Sequence, residues 1–155
     1  MTLPPVVHGT FTLERNYPVT AARLYAAWTD PEIKARWFIG PAGWQLVKRE
    51  LDLRVGGREI LEGVFADGLQ TLFVARYHEV VPDQRLVWSY DMDYAGKHLS
   101  VSLATVEIRP AGHGAALRLT EQAAFLDGTD GTASRERGTA AHLERLAGVL
   151  GSLSG

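Results

Sequence analysis

The sequence contains no cysteine. Disulfides, thiolate nucleophiles and cysteine zinc centres are therefore excluded outright. It also lacks a long apolar run: no stretch approaches the roughly 20 apolar residues of a membrane-spanning helix. The opening residues MTLPPVVHGT carry no basic segment ahead of an apolar one, which argues against a signal peptide. A cytoplasmic location is the expectation. Charge of one sign is missing as well. Sixteen Lys and Arg stand against 18 Asp and Glu, for a net charge of −2, and no five like charges run together. Neither nucleic acid nor an anionic membrane surface would find an electrostatic footprint.

Further absences narrow the chemistry. The five histidines, His8, His78, His98, His113 and His142, include no helical i, i+4 pair and no metal-ligand spacing, so no metal and no cofactor are expected. The glycines at 56, 57, 112 and 114 sit between strand-like runs. A phosphate cradle needs a helix N-terminus behind it. No Gly-x-Ser-x-Gly elbow surrounds Ser100 or Ser102, which argues against a nucleophilic serine.

What is present suits a globular protein: 46% of the residues are hydrophobic and 22% charged. The 155 residues suffice for one domain, 1–155, with a sizeable core. A first strand is read over HGTFTLERNY, with Phe11 and Leu13 on one face. Thr20 is a helix N-cap, with Val19 and Leu24 as a hydrophobic staple. Leu24, Ala27 and Trp28 then share a helix face. Asp30-Pro31 starts a second short helix bearing Ile33 and Trp37. Alternating runs punctuated by Gly56-Gly57, Asp67-Gly68, Pro82-Asp83, Ala95-Gly96 and Gly112-His113-Gly114 predict an antiparallel meander up to Phe125. The final segment, TASRERGTAAHLERLAGVLGSL, changes to helical period, with Leu143, Leu146, Ala147 and Leu150 predicted to face the sheet. Gly138 inside it suggests close packing. The order β-α-α-β-β-β-β-β-β-α predicts an α+β fold, a curved antiparallel sheet wrapped around a long C-terminal helix.

Two carboxylates fall where apolar residues belong. In LRLTEQAAF, Glu121 continues the phase of Leu117 and Leu119. In GGREILEGVF, Glu59 shares the phase of Leu61. A carboxylate in an apolar cavity has a raised pKa and works as an acid or base near neutral pH. The alternatives are strand ends that reach water, a one-residue bulge turning Glu121 outward, or pairing with Arg58, Arg118 or Arg135. If Glu121 is inward, Arg135 is the first partner to test, with Glu59 a neighbouring carboxylate.

The stretches AAWTDPEIKARWFIGP, LDLRVGGRE, RYHEVVPDQRLVWSY and LRLTEQAAF resemble the landmarks of the START-like (SRPBCC) superfamily. Within it they are similar to the branch related to the activator of the heat-shock-protein-90 ATPase, from about Phe11 to about Leu150. The chain departs in having Trp37-Phe38-Ile39 where two tryptophans are usual, and GHGAALRL without the usual Gly-Thr-Arg. Its length leaves no room for the separate N-terminal domain of the eukaryotic cochaperone, so no chaperone activity is implied.

The resemblance implies a helix-grip fold with a cavity between sheet and last helix, used across the superfamily for lipids, polyketides, hormones and other apolar molecules. Aromatic residues crowd the helical pair and the strands: Trp28, Trp37, Phe38, Trp44, Phe65, Phe73, Tyr77, Trp88 and Tyr90. Plain core packing is their ordinary role. The candidate ligand-binding residues are Glu59, Leu61, Phe73, Tyr77, Trp88, Tyr90, Met92, Ser102, Glu121, Phe125 and His142, with no catalytic assignment. The expected partner is a small, largely apolar molecule, with a homodimer left open. Two other readings stand beside it: a cyclase- or hydrolase-like enzyme with Glu59 or Glu121 as general acid-base, and a protein-interaction module using the exposed sheet face.

Overall fold

A computed structural model describes residues 2–153. In chain order the elements are β1 (Val7–Tyr17), α1 (Ala21–Thr29), α2 (Pro31–Trp37), β2 (Trp44–Leu51), β3 (Arg58–Phe65), β4 (Gln70–Val81), β5 (Arg85–Tyr94), β6 (Lys97–Ala111), β7 (Gly114–Phe125) and α3 (Thr132–Leu153). The strands form one antiparallel sheet in the order β1-β7-β6-β5-β4-β3-β2. Six consecutive strands make a meander, and β1 closes its far side beside β7. The fold is the expected α+β helix-grip. Among the described residues, no helix is long and apolar enough to cross a membrane.

The two short helices are set by side-chain caps. Thr20 Oγ1 accepts from the Arg23 N–H at 3.1 Å, and Asp30 Oδ1 accepts from the Glu32 N–H at 2.9 Å. Asp30 serves both helices, since its own N–H closes α1 on the Ala26 carbonyl. The chain can therefore turn between α1 and α2 with no loop. Leu24, Ala27, Trp28 and Trp37 go into the core, as helical spacing requires.

Three bulges interrupt the ladder, at Val47, His78 and Leu99. A bulge bends its strand and increases the local twist. The one at His78 also changes the phase of β4: Phe73, Ala75 and Tyr77 point inward, and beyond the bulge Val80 packs against the core. By Pro110 the β5 partner has ended, so β6 continues through the proline to Ala111 while paired only with β7. Proline is tolerated where the ladder on its N–H side has stopped.

Helix α3 crosses close to β1. A Cβ on Gly9 would lie 1.8 Å from Thr132 Oγ1, so only glycine admits the start of the helix there. Leu143, Leu146 and Leu150 are buried against the core. Ala147 is exposed, contrary to expectation, and the partly buried Val149 packs on the core instead. The buried stripe leans toward the side of the helix bearing His142 and Val149, which faces α2. Gly138 also departs from expectation. A Cβ there would meet nothing within 4 Å, so close packing is not its reason.

Candidate functional site

Between the sheet and α3 lies a cavity of about 580 Å³. Its walls are mostly aromatic and aliphatic, and its exposed lining residues locate the mouth. They come from the α2–β2 loop (Pro41), the β7–α3 loop (Asp127, Thr129 and Asp130) and α3 itself (Gly138). Trp44 closes the β2 end. Its indole lies over Gly63, where a Cβ would sit 1.9 Å from the ring, and its Nε1 donates to Thr71 Oγ1 at 2.8 Å.

Both carboxylates point inward and are 3% exposed. The register of β7 is unbroken on both sides through Phe125, so no bulge turns Glu121 out. Glu121 Oε2 accepts from the Tyr90 hydroxyl at 2.6 Å and from Arg135 Nη1 at 3.0 Å. Arg135 Nη1 also donates to the Tyr90 oxygen at 2.7 Å and to Ser102 Oγ at 3.3 Å, while Nη2 donates to Ser100 Oγ at 2.7 Å. The guanidinium lies 5.4 Å from the Phe125 ring centre. Small side chains make this possible. Ser102 and Ala104 on β6 stand between Tyr90 and Glu121, so the phenol reaches across that strand.

A second group repeats the chemistry. Glu59 Oε1 accepts from Lys34 Nζ at 2.8 Å and from the Tyr77 hydroxyl at 2.7 Å. Lys34 is 3% exposed. The two carboxylates are not neighbours: β4, β5 and β6 lie between β3 and β7, and each carboxylate has its own cation. Burial, then the charge of Glu121, raises the Tyr90 phenol above its usual range. Burial and Glu59 do the same to Tyr77. Both phenols are thus held as neutral donors. Burial alone would lower the Arg135 guanidinium, but the Tyr90 phenol and Glu121 more than reverse it.

His142 forms part of the wall near the mouth. Its Nδ1 is 2.8 Å from Arg145 Nη2. A guanidinium only donates, so Nδ1 accepts and the imidazole is neutral. Burial, and next the Arg145 charge, lower its pKa to about 4. Arg145 also donates to the Trp37 and Ile39 carbonyls at 3.1 and 2.9 Å, tying α3 to the end of α2.

Of the residues expected from sequence, Leu61, Phe73, Trp88, Tyr90 and Met92 line the cavity, as do Glu121, Phe125 and His142. Glu59, Tyr77 and Ser102 do not. They stand behind the wall, where Glu59 and Tyr77 hold Lys34 and Ser102 holds Arg135. Lys34 was not foreseen. The available signal was its place three residues before Trp37, on the same face of a short helix. Ser100 and Ser102 are inward, with hydroxyls engaged by Arg135 rather than by backbone. Among the described residues, no group of three His, Asp or Glu is placed to hold a metal ion, and Trp28 Nε1 is the one buried side-chain polar atom without a partner.

The sequence profile described as Activator of Hsp90 ATPase homolog 1-like protein matches residues 18–151. No functionally curated protein matches. Among solved structures, an uncharacterised protein from Rhizobium leguminosarum shares 34% identity over 97% of this chain and 99% of its own, with a TM-score of 0.92. A protein from Rhizobium loti shares 40% identity over 94% of this chain and 99% of its own, with a TM-score of 0.87. A Chromobacterium violaceum protein shares 30% identity over 91% and 96%, with a TM-score of 0.75.

Proposed function

The chain belongs to the Activator of Hsp90 ATPase homolog 1-like family, and from that premise we propose that it binds one small, neutral, largely apolar molecule between its sheet and α3. The observation that carries this reading is a cavity of about 580 Å³ with aromatic walls and a buried Glu121–Arg135–Tyr90 cluster in them. Its volume lies in the range of about 300–1,000 Å³ typical of small-molecule sites. Each buried cation is offset by a carboxylate of the chain itself, Lys34 by Glu59 and Arg135 by Glu121. An anionic ligand would gain little, while an apolar body gains by leaving water. The bonds from Tyr90 and Arg135 to Glu121 both fall on Oε2. Its other oxygen is the acceptor we assign to a ligand hydroxyl.

The test uses the protein's own fluorescence. All four tryptophans, Trp28, Trp37, Trp44 and Trp88, line the cavity. A neutral apolar dye such as Nile red should quench or shift their emission, and native mass spectrometry of protein from its own host should detect a retained neutral molecule. Unchanged emission together with an empty mass would count against the reading.

A further inference from the structure

We propose that Lys34 captures the carbonyl carbon of an apolar aldehyde or ketone, forming a reversible iminium in the cavity. The inference rests on the proposed binding reading and adds a covalent step to it. The chain has three lysines; Lys48 and Lys97 are exposed, and Lys34 is buried in the cavity wall. Its Nζ lies 4.8 Å from the Phe38 ring centre, 5.7 Å from Trp28 and 5.8 Å from Trp88, all three of them lining residues. Lysine is an established nucleophile toward carbonyl carbons, and its place in the wall puts Nζ where an apolar carbonyl compound would lie. Two proton carriers are already in contact with it, Glu59 Oε1 at 2.8 Å and the Tyr77 hydroxyl at 3.2 Å.

The step balances within this group. The ammonium passes one proton to Glu59, and the freed lone pair forms a C–N bond to the carbonyl carbon. The π pair of the C=O bond moves to oxygen, which takes the proton back from Glu59. In the resulting carbinolamine, a second nitrogen proton reaches the hydroxyl through Glu59. The C–O bond breaks, and water leaves. The product is a C=N iminium with one positive charge, equal to that of the starting ammonium and facing the Glu59 carboxylate. No oxidant or reductant is required. An apolar site that excludes bulk water slows the reverse hydrolysis. Glu59 and Tyr77 act here behind the wall, as proton carriers for Lys34.

The experiment uses 3-phenylpropanal as the carbonyl probe with sodium cyanoborohydride to reduce any iminium, and 3-phenylpropanol as a probe of the same shape without a carbonyl. Peptide mass mapping should find the reduced adduct at Lys34 ahead of Lys48, Lys97 and the N-terminal amine. Excess 3-phenylpropanol should abolish labelling at Lys34 and leave it unchanged at the exposed amines. This comparison needs no variant. Lys34→Arg, which keeps the charge, should lose the adduct while labelling of the exposed amines continues. Alcohol binding seen by tryptophan emission, with labelling confined to exposed amines, would overturn the iminium and leave the cavity reading standing. Absence of alcohol binding and of Lys34 labelling would overturn both.

Discussion

Glu121 Oε2 on β7 and Arg135 Nη1 on α3 stand 3.0 Å apart, bridging the sheet and the helix that covers it. Removing one member of a buried pair strands the other, at a cost of about 3–5 kcal/mol. The Arg135 side chain keeps 15% of its exposure, so the lower end is expected. Arg135→Met should lose about 3 kcal/mol in urea denaturation. The double variant Arg135→Met/Glu121→Gln should recover part of that loss. Additive costs would show that the two groups are not coupled in this way.

His142 supplies a pH dependence whose sign can be worked out. Its folded pKa, about 4, lies below the ordinary 6.5. The unfolded chain therefore takes up the proton first. The stabilisation is fully present above pH 6.5 and is lost as pH falls toward 4, by roughly 3 kcal/mol in all. His142→Gln should flatten the wild-type loss of stability across that window. An NMR titration of the imidazole should give a midpoint near 4; a midpoint near 6.5 would mean that neither the burial of the ring nor its Arg145 contact persists in solution.

Leu146 is fully buried, and the adjacent Ala147 is exposed. Leu146→Ala should cost about 2–5 kcal/mol through lost burial and a residual cavity. Ala147→Ser should stay within about 0.5 kcal/mol. Equal costs in urea denaturation would show that α3 is rotated about its axis from the position described.

The helix-grip architecture was legible because each element carries its own local signal. Thr20, Asp30 and Pro31 mark the short helices, Asp67-Gly68 marks a hairpin, and the period changes after Phe125. The inward carboxylates were legible too, since strand alternation is rigid: Glu121 cannot leave the phase of Leu117 and Leu119 without a bulge. Lys34 was not. Lysine is rarely buried unless paired, and its partner Glu59 lies 25 positions away on β3. Ala147 was misplaced because a wide apolar stripe does not reveal where on it the helix axis leans. That lean is set by the contact with α2, which no local pattern records. Glu59, Tyr77 and Ser102 show the remaining gap. Inward phase places a residue on the concave face, but whether it touches the cavity depends on which longer side chain lies over it.

Gly138 offers a test of the cavity that leaves its polar groups untouched. It lies in the interior of α3 and lines the cavity, and a Cβ there meets nothing within 4 Å. Glycine in a helix interior costs about 1 kcal/mol relative to alanine. Gly138→Ala should therefore raise stability by up to about 1 kcal/mol, since the methyl enters open space. Gly138→Phe should fold as well as the parent but place a ring in the mouth, so Nile red binding should weaken or vanish. Gly63→Ala is the contrasting substitution, because its Cβ would strike the Trp44 indole at 1.9 Å. It should destabilise the fold while Gly138→Ala does not. Unchanged dye binding in a folded Gly138→Phe protein would mean that the dye sits elsewhere. Loss of binding without loss of stability would locate it beneath α3, beside the Glu121–Arg135 pair.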